Sequence, residues 1–196
     1  MSHANYGKSL IFVTGNPGKA WEVALLLRPF GIGIIPKKLD LIEIQSDNLE
    51  EIVRHKAQQA AKILKQPLVV EDSGLFIRAL KGFPGPFSSY VLRTIGCSGI
   101  LKLMEGVHDR AAEFRAVVAF IDPQLHDPVL FHGCVSGQIA LQEGARIAGF
   151  GFDPIFIPEG FTKPFSEMST EEKNRVSHRA RAFTAFAQWF LQRRTT

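Results

Sequence analysis

Apolar positions along the chain of 196 residues fall into two periods, one helical and one alternating. Leu10-Ile11-Phe12-Val13 is a short apolar run and predicts a buried strand. Val23, Leu26, Leu27 and Phe30 follow at helical spacing and predict an amphipathic helix. A second strand is expected within 32–41, interrupted by Pro36. Asp47 or Asn48 can cap a second helix, whose inner face carries Val53, Ala57, Ala60 and Leu64.

Leu68-Val69-Val70 is the next apolar run, and it stops abruptly at Glu71-Asp72-Ser73-Gly74. Ordered chain is expected to continue over 75–80, and the Gly- and Pro-rich 81–87 reads as a shaped loop before a helix opening at Ser88, Ser89 and Tyr90. Residues 114–121 and 129–131 are strand candidates joined by the turn-rich 122–128, and 135–141 alternates as a further strand. Strand following strand predicts a hairpin or meander. The first half alternates strand and helix, so the expectation is an α/β fold with a mixed sheet. Ser169 or Thr170 caps a final helix, Ser169 with Glu172 matching a capping box. Val176, Ala180, Phe183, Ala187 and Phe190 predict that this helix runs on with one buried face.

Composition narrows the class without deciding it. No apolar run approaches the roughly 20 residues that span a bilayer. The opening residues are polar and lack a secretory core. Cys97 and Cys134 show neither metal spacing nor a disulfide framework, so an intracellular, cytoplasmic protein is expected. The net charge of +4 suits an anionic partner. No basic run interleaves with aromatics, which favours a small anion over a nucleic-acid polymer.

Three stretches carry candidate chemistry. Thr14-Gly15-Asn16-Pro17-Gly18-Lys19 joins the first strand to the first helix, with Asn16 as N-cap and Pro17 at the first helical position. Free N–H groups and the helix dipole at such a turn bind phosphate, and Lys19 adds a charge. The same turn is also an ordinary strand–helix connection, and it is not a Walker A loop, since Ala20 stands where a hydroxyl would be needed. Glu71 and Asp72 read equally well as solvated acids or as ligands for Mg²⁺, which takes carboxylate oxygens together with phosphate. Lys56 flanks the second helix's apolar stripe, with a stem that can be buried and an ammonium that can reach a cleft. In Gly149-Phe150-Gly151-Phe152-Asp153-Pro154 the glycines admit close approach, and an aromatic ring can stack on a planar base. Asp153, before a proline, is expected to keep its carboxylate free for ring N–H groups. His178 and Arg179 offer directed donors beside the last helix's stripe.

These segments, in this order and spread over almost the whole chain, resemble the inosine triphosphate pyrophosphatase family. The matching stretches are 12–19, 70–75, Pro84-Gly85-Pro86, 150–154, and Glu172-Lys173-Asn174 through Ser177-His178-Arg179. The resemblance implies one domain with an elongated mixed β-sheet, flanking helices, and two lobes around a central nucleotide-binding cleft. It implies a homodimer, a divalent metal (Mg²⁺, with Mn²⁺ as substitute), and hydrolysis of ITP, dITP or XTP to the monophosphate and pyrophosphate. Carried over by position, Thr14, Gly15, Asn16, Pro17, Gly18 and Lys19 hold the triphosphate, and Lys56 and Ser73 contact substrate. Phe150, Gly151, Phe152, Asp153, Lys173, His178 and Arg179 form the base and sugar-phosphate pocket. Glu43 and Asp72 hold the metal, with Glu51 as a nearby competitor for the role of Glu43, and Asp72 is the catalytic carboxylate. Some members carry a substrate-binding lysine where this chain has Ser89. Two other readings use the same residues: a Maf-like pyrophosphatase of modified pyrimidine triphosphates, and a non-catalytic nucleotide-binding module.

Overall fold

The computed structural model describes residues 9–195, so the polar opening segment lies outside the described residues. Seven strands form one mixed sheet: β1 (Ser9–Val13), β2 (Gly33–Lys37), β3 (Leu68–Ile77), β4 (Pro84–Gly85), β5 (Ala111–Ile121), β6 (Val129–Ile139) and β7 (Phe156–Pro158). The strand order is β2-β1-β3-β5-β6-β7, with β4 paired to β3. β1 pairs in parallel with β2 and β3, while β5, β6 and β7 add antiparallel. The helices are α1 (Pro17–Leu27), α2 (Leu49–Leu64), α3 (Ser88–Thr94), α4 (Gly96–Leu103), α5 (Thr170–Val176) and α6 (His178–Thr195).

Pleat parity explains the layers. Leu10, Phe12, Val69, Val118 and Phe120 join the apolar cluster that also holds Val23 of α1 and Phe183, Phe186 and Phe190 of α6. Val13, Leu68, Val70, Val117 and Ala119 face the other way, into the cluster with Val53, Ala57 and Ala60 of α2. Neighbouring residues of one strand thus serve opposite faces. A third core gathers Leu75, Ile77, Phe114, Val135, Phe156 and Phe165 with Ile100 and Met104 at the far half of β3.

Three sequence expectations change. Glu71 and Asp72 do not end a strand but sit in the middle of β3, which spans 10 residues. The segments 129–131 and 135–141 merge into one strand, β6, because Gly133 and Cys134 continue the ladder to β5. The last helix is two helices: Ser177 is extended (φ −69°, ψ 156°), closing α5, and its hydroxyl accepts from the Ala180 amide to cap α6. The break puts His178 and Arg179 in the first turn of α6.

The topology makes an opening. β1 ends at Val13, opposite Val70, while β3 continues past it along β5. β4 covers the β1 side of β3 only at Leu75 and Phe76. Residues 71–74 therefore face a gap in the sheet where β1 turns into α1. The chain leaves β1 for β2 on one side and returns to β3 on the other, the switch point at which open α/β sheets form crevices.

Gly133 allows α6 to lie against β6. A Cβ there would collide with the His178 carbonyl oxygen and stand 2.6 Å from the Ala182 nitrogen, both backbone atoms. Gly133→Ala is expected to destabilise by about 1–3 kcal/mol, since backbone cannot swing aside. Thermal unfolding checks this, at roughly 2–4 °C of Tm per kcal/mol for a chain of this size.

Candidate active site

The opening in the sheet is the mouth of a cavity of about 490 Å³. Thr14, Gly15, Asn16, Lys19, Glu43, Lys56, Asp72, Ser73, Phe150, Gly151, Phe152, Asp153, His178 and Arg179 all line it. Segments from the first turn to the last helix thus meet on one groove. Gly18 and Lys173 are outside its lining, Lys173 bonded to the lining Asp153, and the exposed Pro17 lines a neighbouring cavity with Trp21 and Pro36 instead. A Cβ on Gly18 would lie 2.6 Å from Phe150 Cδ1, so the missing side chain lets the Phe150 ring rest against α1. Glu51 is elsewhere, accepting from the Ser46 hydroxyl at 2.8 Å, and drops out as a competitor for Glu43. Ser89 lines the cavity and accepts from Arg93 Nη1 at 2.8 Å.

A chain of alternating charges crosses the site. Asp153 meets Lys173 Nζ at 2.6 Å, and Lys173 meets Glu22 at 2.6 Å. Glu22 also holds Arg179 Nη1 at 2.7 Å, and Arg179 Nη2 meets Glu71 at 3.0 Å and the Ser73 hydroxyl at 3.1 Å. Glu71 takes Lys19 at 2.8 Å, and Lys19 lies 3.9 Å from Asp72. Asp72 faces Lys56 at 3.4 Å, which ends on Glu43 at 2.7 Å. Burial falls along the series, from a Glu71 side chain with no exposure to 15% at Asp72, 20% at Lys56 and 58% at Glu43.

Parity gives the two adjacent carboxylates different roles. Glu71 has the parity of Val69 and faces α1 and α6, where it meets Arg179 and Lys19. Burial alone would raise its pKa, but Arg179 and Lys19 hold it well below the usual carboxylate range. Asp72 has the parity of Val70 and faces α2 and Lys56, although both carboxylates line the cavity. Burial pushes its pKa up, Glu71 and Glu43 add to the rise, and Lys19 and Lys56 oppose it. Asp153 is also pushed up by burial, against the pull of Lys173. Its Oδ2 accepts from the Phe150 amide at 2.7 Å and from Lys173, so that oxygen is already engaged within the protein.

The phosphate turn differs from expectation in a similar way. The Asn16 amide donates to the Thr14 hydroxyl, and those of Gly18 and Lys19 donate to Asn16 Oδ1 at 2.9 and 3.2 Å. These N–H groups are taken up by the turn itself, which leaves Lys19 as its main positive feature. At the other end His178 is buried and stacks on Phe114, with centroids 4.7 Å apart and planes 11° apart. Burial and the neighbouring Arg179 push its pKa well down, so the ring is neutral. His178 Nδ1 and Arg179 Nε are buried without hydrogen-bond partners.

The residues fit a magnesium ion supported by substrate. Among the described residues no three His, Cys, Asp or Glu converge as a metal cage. Glu43 and Asp72 do converge on one cation, the Lys56 ammonium. Mg²⁺ is commonly held by one or two carboxylates plus substrate phosphates, which matches this donor set.

The sequence model of the Ham1 family matches residues 10–189. This chain belongs to the Ham1 family. It is 50% identical to the dITP/XTP pyrophosphatase of Thermococcus kodakarensis over 183 residues, 93% of this chain and 97% of that protein. It is 51% identical to the dITP/XTP pyrophosphatase of Methanothermobacter marburgensis, over 92% of this chain and 95% of that protein. Among solved structures it is similar to a HAM1 protein from Coxiella burnetii (29% identity, TM-score 0.81, 94% of this chain and 98% of that one). The Staphylococcus aureus Ham1 protein is similar too (26% identity, TM-score 0.79, with the same coverages of 94% and 98%).

In this Ham1-family chain, sequence reading missed Glu22, which bridges Lys173 and Arg179 from α1. A signal was present: Glu22 adjoins Val23 at the edge of the α1 apolar stripe, one turn after Lys19. Glu22→Ala is expected to destabilise by about 3–5 kcal/mol, since it leaves two buried cations short of a partner. Urea unfolding checks this. His178 makes a pH prediction. Its folded pKa is depressed, so below about pH 6.5 the unfolded chain binds a proton that the folded chain refuses. Stability falls as pH drops through that window, by up to about 1.4 kcal/mol per unit. Unfolding at pH 7.5 and 5.5 should show His178→Gln losing that part of the slope.

Proposed function

We propose that this chain hydrolyses non-standard purine nucleoside triphosphates, ITP, dITP and XTP, to the nucleoside monophosphate and pyrophosphate, cleansing the nucleotide pool. One observation carries the reading: an acid–lysine cluster and a donor-rich aromatic pocket line the same cavity. Relatives of about half identity bear the name dITP/XTP pyrophosphatase over nearly the whole length. The proposal keeps the chain as one domain whose two lobes flank the cleft. It also includes a cytoplasmic homodimer, which a monomer of full activity in sedimentation and turnover would remove.

Asp72 and Glu43 would hold Mg²⁺, or Mn²⁺ in its place. When bound, the ion supplies positive charge to the phosphate oxygens and to the leaving pyrophosphate. Lys19 and Lys56 take the remaining phosphate charge, and the Thr14 hydroxyl and the turn behind it position the polyphosphate. Asp72, on the cavity side of β3, orients water against the α-phosphorus. The new bond joins the water oxygen to that phosphorus, the bond to the bridging α–β oxygen breaks with its electron pair leaving on pyrophosphate, and the water's proton passes to solvent. Positioning and electrostatics supply most of the rate in such transfers.

Discrimination belongs to the inner end. Arg179 spends three of its five N–H donors within the protein, Nη1 on Glu22 and Nη2 on Glu71 and Ser73. Its Nε and the neutral His178 ring remain for a 6-keto oxygen. Adenine presents an amino donor there instead, and an unmet buried polar group costs about 1–3 kcal/mol, roughly ten- to a hundredfold.

The test is pyrophosphate release from ITP, dITP, XTP, ATP and modified pyrimidine triphosphates, with and without Mg²⁺. Oxopurine substrates should lead, with turnover lost when the metal is chelated. Asp72→Asn should lower kcat by about 10²–10⁴-fold. Preference for pyrimidine triphosphates would favour the Maf-like reading, and no release from any nucleotide would favour a binding module.

A further inference from the structure

The Lys56 ammonium occupies the place between the two carboxylates assigned to the metal. Its Nζ is 2.7 Å from Glu43 Oε1 and 3.4 Å from Asp72 Oδ2. Lys19 cannot take over this task, because its near partner is Glu71 at 2.8 Å while Asp72 lies 3.9 Å away. Two carboxylates brought together with no cation between them repel, and Lys56 supplies the cation. A divalent ion on the same oxygens would meet the ammonium as a like charge at contact distance. We infer that Lys56 is a built-in counter-ion, which holds Glu43 and Asp72 together in the metal-free chain and must leave them when metal is held. The inference rests on the reading of Glu43 and Asp72 as the metal-holding pair.

The geometry lets Lys56 leave. Its flexible stem comes from α2, its side chain is 20% exposed, and Glu43 stands on a loop with 58% exposure. The inner members of the charge chain are locked by burial, whereas this outer pair is not. Lys56 also lines the cavity, so the acceptor open to it is a polyphosphate. Metal and polyphosphate would then help each other. The metal frees the lysine from the acids, and the phosphates neutralise the lysine that has been freed. Metal alone, with no anion to receive Lys56, would be held weakly.

The experiment titrates Mn²⁺ alone, without nucleotide, into the full chain at low salt, reading free Mn²⁺ by electron paramagnetic resonance. Lys56→Gln is expected to bind Mn²⁺ about tenfold or more tightly than the unaltered chain, because a like charge has been removed from the site. Lys56→Arg keeps the cation and should bind as weakly as the unaltered chain. Asp72→Asn placed on Lys56→Gln should abolish the gain. Equal or weaker binding by Lys56→Gln, with Asp72→Asn still lowering affinity, overturns the counter-ion role and leaves the metal pair standing. A gain that survives Asp72→Asn places the metal elsewhere, and both assignments then fall. Thermal melts of each variant confirm that differences in binding are read on folded protein.

Discussion

Arg179 ties together, at one point, three elements that also share an apolar core. Its guanidinium reaches Glu22 on α1, Glu71 on β3 and the Ser73 hydroxyl, all from the first turn of α6. None of these charges is stable alone in the interior, because a buried ion without a partner costs several kcal/mol. Each is tolerable only while the others are in place. The ion cluster therefore adds directional pairing to the close-packed apolar core that already holds α1 and α6 against β3. Lys173 and Asp153 extend the same constraint to the loop carrying Phe150.

The gradient of burial along the chain of charges divides the site by task. Its inner half, from Asp153 to Glu71, is closed to solvent and paired acid to cation, with Arg179 Nε left over, which makes a rigid wall. Its outer half, from Lys19 to Glu43, is wetter and more loosely paired, which suits groups that must exchange partners when a polyanion enters. Solvent screens the outer pairs, so their rearrangement is easy, whereas opening an inner pair would strand a charge. One electrostatic network thus gives firmness at one end and adaptability at the other.

Much of this was legible in sequence because it depends on local patterns. Asn16 and Asn48 cap helices as their positions suggest, the capping box at Ser169 and Glu172 forms, and the hairpin expected of 114–121 and 129–131 forms with longer arms, 111–121 and 129–139. The break at Ser177 escaped notice because apolar spacing on both sides keeps one helical phase, and the cap shows only in the backbone angles and the Ser177 hydroxyl bond. Glu22 escaped because a glutamate beside an apolar stripe is ordinarily solvated. Asp153 looked free because its partner Lys173 lies 20 residues on, in a helix that no local rule aims at it.

Residue order alone determined the set of chemical groups, their capped and periodic elements, and their match to a family, because such properties depend on neighbours a few positions apart. Tertiary structure alone decided that Glu71 is fully enclosed and Asp72 partly open in the cavity wall, and which cation answers each acid. The physical reason is that charge pairing follows distance through space. Distance here is set by where β1 stops, by the pleat of β3, and by how closely α6 lies on β6.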